Sequence, residues 1–306
     1  MLTSEIIKKY AYDLGFDLVG FNGYEKLSLE IERLTNWLEN GYNATMQYMQ
    51  KNIDKREDPK LILDDCKTII SLGMNYYQKV EYQPEKPKIS KYALGKDYHL
   101  VIWNKLEILL SKLKELRPEL KYYYNVDTGP VMDKVWAERS GLGWMGKNSN
   151  IINPKKGSFF FIATIFINEK IDYNPLKIDD HCGTCSKCID ACPTNAIVQP
   201  YVIDSNKCIS FLTIENKSDE INEKFKIKME NWAFGCDICQ DVCPWNNKFS
   251  DDTKIEDFKE HLISPNIDYD YFENMTNKEF KNNFKESPIL RAKLKGMKRN
   301  TNFLKY

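Results

Sequence analysis

Residues 181–197 read HCGTCSKCIDACPTNAI and hold four cysteines, Cys182, Cys185, Cys188 and Cys192, the last followed by a proline. Bacterial proteins with two [4Fe–4S] clusters use this C-x2-C-x2-C-x3-C-P spacing, with three cysteines on one cluster and the fourth on the other. The stretch therefore predicts a small ferredoxin-like domain folded around two iron–sulfur clusters.

A second run supplies the missing ligands. It repeats the pattern with one cysteine fewer and ends in Cys243-Pro244, while Cys208 lies between the two runs. The eight cysteines then form two sets of four. The first set is Cys182, Cys185, Cys188 and Cys243, and the second set is Cys192, Cys208, Cys236 and Cys239. A pair of structural zinc sites is the alternative, but such sites usually combine two separated C-x2-C pairs.

Length and composition indicate a globular chain. Its 306 residues are 42% hydrophobic, and 44 basic side chains balance 44 acidic ones, so no overall field would attract nucleic acid. Glu5, Lys8 and Lys9 stand where a signal peptide needs an apolar core, and the longest apolar run, 159–167, is about half a membrane span. We expect a cytoplasmic protein without a membrane anchor, in which cysteines bind metal and do not form disulfides.

Strand-like and helix-like segments alternate in the first 175 residues. Short β-branched or aromatic stretches predict strands at 17–21, 68–72, 122–126 and 159–167. Helical spacing of apolar residues predicts a helix over 99–116, and a second helix is expected over 130–140, with Gly141 just past its end. We predict the α+β class, with an α/β-like layered sheet.

Composition changes near Asn174 and divides the chain into three parts. Residues 1–175 form the predicted catalytic domain, and residues 176–248, rich in cysteine and proline, form the inserted two-cluster ferredoxin-like domain. Residues 249–306 are polar and form a short helical C-terminal segment. A ferredoxin would consist of the middle part alone, so the larger first part needs a function of its own.

The best candidate for that function is the segment 125–151, in which Asp127 follows a predicted strand and precedes a predicted helix. Asp127 could be a helix cap, which is the commoner role for an aspartate at such a position. It could instead donate a proton, if an apolar pocket raises its pKa. The nearby glycines do not match a phosphate-binding loop.

Other cofactors leave weaker traces. The chain has only three histidines, which excludes a multi-histidine metal centre. Asp97 and His99 match the D-x-H-x-x-G cobalamin motif, but Ile102 replaces its glycine, so histidine ligation of cobalt through that motif is not expected. From the residues alone, the chain is an iron–sulfur oxidoreductase with an unidentified second cofactor.

Several segments together resemble the epoxyqueuosine reductase family, which is related to the corrinoid reductive dehalogenases. They are MQYMQKNIDKREDP (46–59), ISKYALGKDYH (89–99), VDTGPVMDKVWAERSGLGWMGKNSNII (126–152), HCGTCSKCIDACPTNAI (181–197), KCISFLTIE (207–215) and GCDICQDVCPWN (235–246). The resemblance implies two-electron removal of the epoxide oxygen of epoxyqueuosine at the tRNA wobble position. It implies base-off cobalamin without a protein ligand to cobalt, two [4Fe–4S] clusters, and an electron donor such as flavodoxin or ferredoxin.

The resemblance also assigns residues. It makes Asp127 the proton donor, against the helix cap that the local sequence favours. The residues expected near the corrin are Arg56, Tyr92, Asp127, Met145, Lys147, Asn148, Ser149 and Ser210.

The C-terminal stretch FKESPILRAKLKGMKRNTNFLKY is basic. Such a stretch suits phosphate contacts that position RNA without reading its sequence, and a solvated helix is the alternative. The tRNA-binding candidates are Arg291, Lys293, Lys295, Lys298 and Arg299.

Two other functions stay open at this point. One is a corrinoid iron–sulfur reductase of a small molecule, as in the reductive dehalogenases. The other is an iron–sulfur electron-transfer protein, for which the large first domain would serve no purpose. A monomer is the default expectation.

Overall fold

The computed structural model describes residues 2–174 and 176–305. The strands are β1 (Leu18–Gly23), β2 (Thr68–Asn75), β3 (Lys88–Ile89), β4 (Tyr122–Asn125), β5 (Trp144–Met145), β6 (Ile151–Ile152), β7 (Phe160–Ile167), β8 (Ile197–Gln199), β9 (Val202–Ile203) and β10 (Trp232–Phe234). The helices are α1 (Ser4–Asp13), α2 (Ser28–Glu39), α3 (Ile53–Glu57), α4 (Tyr98–Leu116), α5 (Asp133–Arg139), α6 (Lys187–Asp190), α7 (Ile209–Ile214), α8 (Ile238–Asp241), α9 (Pro244–Phe249), α10 (Glu256–Lys259), α11 (Asn277–Asn283) and α12 (Lys293–Leu304).

An antiparallel sheet of four strands, in the order β1-β2-β7-β4, forms the centre of the first part. Strand β2 is buried at every position because both faces of the sheet are covered. Ile70, Leu72 and Met74 point into a core shared with α1 and α4, whereas Ile69 packs with Trp136 of α5 on the opposite face. Alternate residues of one strand thus enter two different cores, as the pleat of a strand requires.

These elements confirm the α+β prediction. All four predicted strands belong to this sheet, and α4 begins one residue before the predicted helix. The predicted helix 130–140 begins only at Asp133, because Asp127 adopts a positive φ of 51° and the chain turns before it becomes helical. Gly141 follows this helix with φ +76°, the left-handed ending that a glycine allows.

A second core lies beside the sheet. Ile89, Ala93 and Leu94 pack there against α7, β10 and the C-terminal helices, including Phe272 and Met297. Segment 88–94 therefore connects the first part of the chain to the iron–sulfur region and the C-terminal segment. The three-part division of the chain stays a prediction, since this core includes residues of all three parts. In the described ranges, no helix has the length and apolarity to cross a membrane.

Candidate active site and iron–sulfur region

The first cysteine set surrounds a cavity. The void measures about 340 Å³ and is bordered by Cys182, Cys185, Cys188 and Cys243. Burial raises the pKa of the Cys188 thiol, and charge on the other three thiols raises it further, so the four are close neighbours. A zinc ion holds its sulfurs at about 2.3 Å. A void of this volume fits a larger group, such as a [4Fe–4S] cluster.

The second cysteine set is also assembled, deeper in the protein. Burial raises the pKa of the Cys239 thiol, and the charges of Cys208, Cys188 and Cys192 add to the effect. Cys236 is shifted in the same direction, first by burial and then by Cys239. Cys188 belongs to the first set, so the two sets adjoin. Because iron binds thiolates, cluster binding must release protons from these thiols.

Hydrogen bonds fix several sulfurs. The indole Nε1 of Trp144 donates to Cys182 Sγ at 3.4 Å, and the amide of Ala196 donates to Cys192 Sγ at 3.2 Å. Cys208 stands at the N-terminus of α7, whose amides also favour its thiolate. Donors of this kind orient the ligands and set a cluster's reduction potential.

A buried ion triad supports the loop of the second set. Lys91 is 6% exposed, and its Nζ lies 2.7 Å from Asp241 and 3.5 Å from Asp237. Asp237 follows Cys236 in the sequence and also accepts the Lys91 amide at 2.9 Å. Burial opposes the charge of Lys91, but the two carboxylates outweigh burial and raise its pKa. Segment 88–94 is thus tied directly to the cysteine loop.

Asp127 lies at the end of β4 on an exposed turn. Its carboxylate accepts the hydroxyl of Tyr98, and its Oδ1 lies 3.1 Å from Nε2 of His99. The other imidazole nitrogen of His99 lies 2.8 Å from Asp97 Oδ1. The side chain of Asp127 is 57% exposed, so a ligand can reach it.

His99 holds a proton next to this carboxylate. Burial disfavours the imidazolium, but hydrogen bonds and charge from Asp127 and Asp97 outweigh burial and raise the pKa of His99 to about 9. At neutral pH the ring is therefore positively charged and donates from both nitrogens. The Asp97–His99–Asp127 array can store and pass a proton.

Asp133 fixes the base of the Asp127 turn. Its carboxylate accepts Thr164 Oγ1 of β7 at 2.6 Å and Asn125 Nδ2 of β4 at 2.7 Å. Burial raises the pKa of Asp133 to about 7, the Thr164 hydrogen bond opposes that shift, and the charge of Asp127 adds to it. The turn is thereby attached to two strands of the sheet.

Two buried polar atoms beside this region, Nε of Arg56 and Oγ of Ser149, have no hydrogen-bond partner among the residues that the structure describes. Arg56 is 9% exposed and, with Asp127, acts electrostatically on Tyr48 and Asp133. Buried donors of this kind cost free energy unless a ligand satisfies them. Their residues therefore fit a polar cofactor.

Lys134 connects this pocket to the second cysteine set. Its Nζ donates to Ser149 O at 2.8 Å and to Asn150 Oδ1 at 3.3 Å. Desolvation by the surrounding protein lowers the pKa of Lys134, although part of its side chain is exposed. Negative charges on Cys239, Cys208 and Asp127 oppose this shift. The cofactor pocket thus lies next to the second cysteine set.

Of the other residues expected at the corrin, Tyr92, Ser210 and Met145 lie in or beside secondary-structure elements, whereas Asn148 and Lys147 contact the cysteine loops. Tyr92 packs against Tyr98 and Phe234, and Ser210 lies in the first turn of α7 after Cys208. Met145 is half-buried in β5, and its amide donates to Glu138.

Asn148 and Lys147 instead contact the cysteine loops. Asn148 Nδ2 donates to Cys239 O at 3.1 Å, and Lys147 Nζ donates to the carbonyls of Gly183 and Cys185 at 2.6 and 2.9 Å. These carbonyls hold the ammonium of Lys147 at the loop of the first cysteine set, and its contact with the corrin stays a prediction.

Intramolecular contacts occupy three of the five tRNA candidates. Arg291 pairs with Glu215 at 2.8 Å, and Lys295 pairs with Asp219. Arg299 donates to the carbonyls of Leu212, Asn216 and Ser218 and to Asn300 Oδ1. This placement favours a structural role for Arg299, whereas Lys293 and Lys298 form no ion pair among the described residues.

The sequence did not indicate that Tyr98, Lys91, Asp133 and Lys134 belong to this site. It also assigned His99 no role in proton transfer. Asp97 and His99 were noticed only as an incomplete cobalamin motif. Their relation to Asp127 needs the tertiary fold, because α4 and the turn after β4 are separate elements.

The cysteine sets and the adjoining pocket place the chain among iron–sulfur oxidoreductases with a second reaction site. A family model described as a 4Fe-4S double cluster binding domain matches residues 181–246. Another, described as epoxyqueuosine reductase QueG, DUF1730, matches residues 56–128.

The epoxyqueuosine reductase of Leadbetterella byssophila is 48% identical over 99% of this chain and 98% of the relative. An epoxyqueuosine reductase crystallised with a tRNA-Tyr epoxyqueuosine-modified stem loop has a TM-score of 0.90 and 30% identity, covering 98% of this chain and 80% of that one. The Streptococcus thermophilus structure gives a TM-score of 0.88 at 30% identity, over 99% and 81%. The chain belongs to the epoxyqueuosine reductase family.

Proposed function

We propose that this chain reduces epoxyqueuosine to queuosine at the wobble position of tRNA. The reaction consumes two electrons and two protons, releases the epoxide oxygen as water and leaves a carbon–carbon double bond. The observation that carries the proposal is the exposed Asp127 carboxylate, held against the His99 imidazolium beside the second cysteine set. Such a site combines a proton source with a route for electrons.

The proposed second cofactor is cobalamin, bound base-off without a protein ligand to cobalt. Among the described residues, Arg56 and Ser149 have buried polar atoms without a protein partner, which are proposed to meet its polar groups. Tyr92 packs against Tyr98, whose hydroxyl donates to Asp127, and Ser210 is proposed to reach the corrin from the first turn of α7. When bound, a corrin supplies a low-potential cobalt centre for electron transfer to the substrate. The charge of Lys134 favours an anionic group near this pocket.

Asp127 is proposed to protonate the epoxide oxygen as its bond to carbon breaks. The proton comes from His99, whose pKa of about 9 keeps the ring protonated at neutral pH. As the carbon–oxygen bond breaks, the epoxide oxygen becomes a stronger base than imidazole and draws this proton through the Asp127 carboxylate, to which His99 is hydrogen-bonded. Tyr98 donates to the same carboxylate and holds its orientation. General acid catalysis of this kind contributes roughly 10²–10⁴-fold to a rate.

The proposed ligands of the two [4Fe–4S] clusters are the first and the second cysteine sets. Two of the tRNA candidates, Lys293 and Lys298, form no ion pair among the described residues. We propose that they contact tRNA phosphates, which positions the RNA without recognising its sequence. Because its substrate is a tRNA, we propose that the protein acts in the cytoplasm. We also propose that it is a monomer and receives electrons from a flavodoxin or ferredoxin.

The test is anaerobic turnover of epoxyqueuosine-containing tRNA by protein reconstituted with iron, sulfide and cob(II)alamin. Queuosine formation by mass spectrometry of digested tRNA, with EPR signals of base-off cob(II)alamin and about eight irons per chain, is the expected result. Iron binding without corrin binding would contradict the cobalamin proposal. Corrin binding without queuosine formation would contradict the substrate.

A further inference from the structure

The reaction needs electrons from outside the chain, and one face of the molecule is suited to receive them. We propose that a small acidic electron-carrier protein docks over the first cysteine set, on a surface formed by Lys187, Lys248, Val198 and Tyr201, here called the entry face. This inference rests on the proposed function, because a reductase must be recharged after each turnover. Its partner is defined by chemistry, as a negatively charged protein with a one-electron redox centre.

The first set borders a cavity that opens to the protein surface. Its cavity is bordered by exposed side chains, among them His181, Lys187 and Lys248. Cys208 and Cys236 of the second set instead pack against the second core. Electron transfer slows steeply with distance, so a carrier must approach the first set.

Charge on the entry face is positive. Lys147, Lys187 and Lys248 border the cavity, and no carboxylate is among its described lining residues. Lys147 is committed to two carbonyls, but Lys187 and Lys248 are exposed and form no ion pair within residues 2–174 and 176–305. Exposed lysines without a carboxylate partner are available to an acidic protein.

Two exposed carboxylates on the same segment form local hydrogen bonds. Asp180 accepts the amide of Cys182 at 2.7 Å and the hydroxyl of Tyr201. Asp190 accepts Ser186 Oγ at 2.6 Å. Both are engaged by the loop that carries the cysteines, so they weaken the positive field without blocking Lys187 or Lys248.

An apolar patch lies beside α6, the helix that begins at Lys187. Val198 and Tyr201 lie in the hairpin formed by β8 and β9 and are 38% and 44% exposed. The Tyr201 amide donates to Lys147 O at 3.0 Å, which attaches the hairpin to the cavity wall. Tyr201 keeps this position with φ +71°, a conformation that costs a non-glycine residue free energy. Transient electron-transfer complexes use small interfaces in which charge steers the encounter.

The test uses the double charge reversal Lys187→Glu with Lys248→Glu in the iron-loaded protein. Stopped-flow absorbance would follow cluster reduction by photoreduced flavodoxin at several ionic strengths, and calorimetry would measure binding of oxidised flavodoxin. For the unaltered protein we expect a rate that falls with salt. The double variant should react at least about tenfold more slowly at low salt and lose most of the salt dependence.

Two controls separate docking from other effects. Reversal of two exposed lysines on α11, Lys278→Glu with Lys281→Glu, should leave the flavodoxin rate unchanged. Reduction by dithionite, which needs no docking surface, should be equally fast in all variants with full iron content.

An unchanged flavodoxin rate in the entry-face variant would overturn the proposal. An equal slowing with dithionite would overturn it as well, because the lysines would then act on the cluster itself. Neither readout requires tRNA or corrin, so failure of the epoxyqueuosine proposal would be seen separately.

Discussion

Nε2 of His99 lies 3.1 Å from Oδ1 of Asp127, so the imidazole and the carboxylate share a proton at the mouth of the candidate site. Asp127 holds this position with φ +51°, in the left-handed region that aspartate and asparagine tolerate better than most residues. Asp133 fixes the turn from below through Asn125 and Thr164. The arrangement exposes the hydrogen-bonded pair of His99 and Asp127, which shares one proton, to a ligand.

Replacing Asp127 with asparagine should abolish most activity without unfolding the chain. Asparagine fits the same left-handed backbone and keeps one acceptor for His99, but it cannot donate an acidic proton. We expect queuosine formation to fall by about 10²–10³-fold, measured in single turnover with excess enzyme. Asp64→Asn, at an exposed position, serves as control. Activity within tenfold of the unaltered enzyme would exclude Asp127 as the proton donor.

His99 should make stability depend on pH. Its folded pKa of about 9 lies above the ordinary 6.5, so it stabilises the fold fully below about pH 6.5, and that contribution is lost as pH rises through 9. The loss should be about 1–2 kcal/mol, reduced by solvent because Asp127 is half exposed. Urea unfolding at pH 6 and pH 9.5 measures it. His99→Gln should remove this difference, and an unchanged difference would assign it to other groups.

The sequence predicted the sheet well because each strand is a short apolar run between turns. β2 and β7 are buried nearly throughout, and such runs have few alternatives. The predicted start of α5 was too early because the turn that begins at Asp127 continues past Pro130, and a proline also often occupies the first turn of a helix. The double-cluster domain was predictable because three of the ligands of one cluster follow a local spacing within 182–188, whereas the division of the cysteines into two sets stays a prediction.

The pocket was less predictable because its contacts join distant segments. Lys91 reaches Asp237 and Asp241 across the parallel pairing of β3 with β10. A lysine in a short polar stretch normally suggests a solvated surface, and only the fold shows that this one is buried. The intramolecular contacts of Arg299 were unpredictable for the same reason, since its acceptors are backbone carbonyls that carry no sequence signal, and its contact with tRNA stays a prediction.

Lys91→Met should destabilise the loop that carries Cys236 and Cys239. Removing the ammonium leaves the buried carboxylate of Asp237 without its cation, next to Asp241. This should cost roughly 1–3 kcal/mol, less than for a fully buried pair because the Asp241 side chain is 39% exposed. We expect reduced iron content after reconstitution and a lower midpoint of urea unfolding. Lys88→Met, on the same segment but half-exposed, is the matched control. Full iron loading and unchanged stability of Lys91→Met would show that the triad does not support the cluster loop.

Arg299 and Lys298 are neighbours in the sequence, but we expect Arg299 to stabilise the fold and Lys298 to contact tRNA phosphate. Arg299→Gln removes a guanidinium that joins α12 to Leu212, Asn216 and Ser218, and should cost about 2–3 kcal/mol of unfolding free energy. Once folded at low temperature, this variant should bind tRNA with an unchanged salt dependence.

Lys298→Gln should leave stability unchanged within about 0.5 kcal/mol, because the side chain has no ion pair among the described residues. If it meets a phosphate, tRNA affinity should fall and the slope of log K against log salt should decrease by roughly one. Fluorescence titration of labelled tRNA at several salt concentrations measures both variants. A reduced slope for Arg299→Gln and an unchanged one for Lys298→Gln would reverse the two assignments and move the RNA contact to the guanidinium.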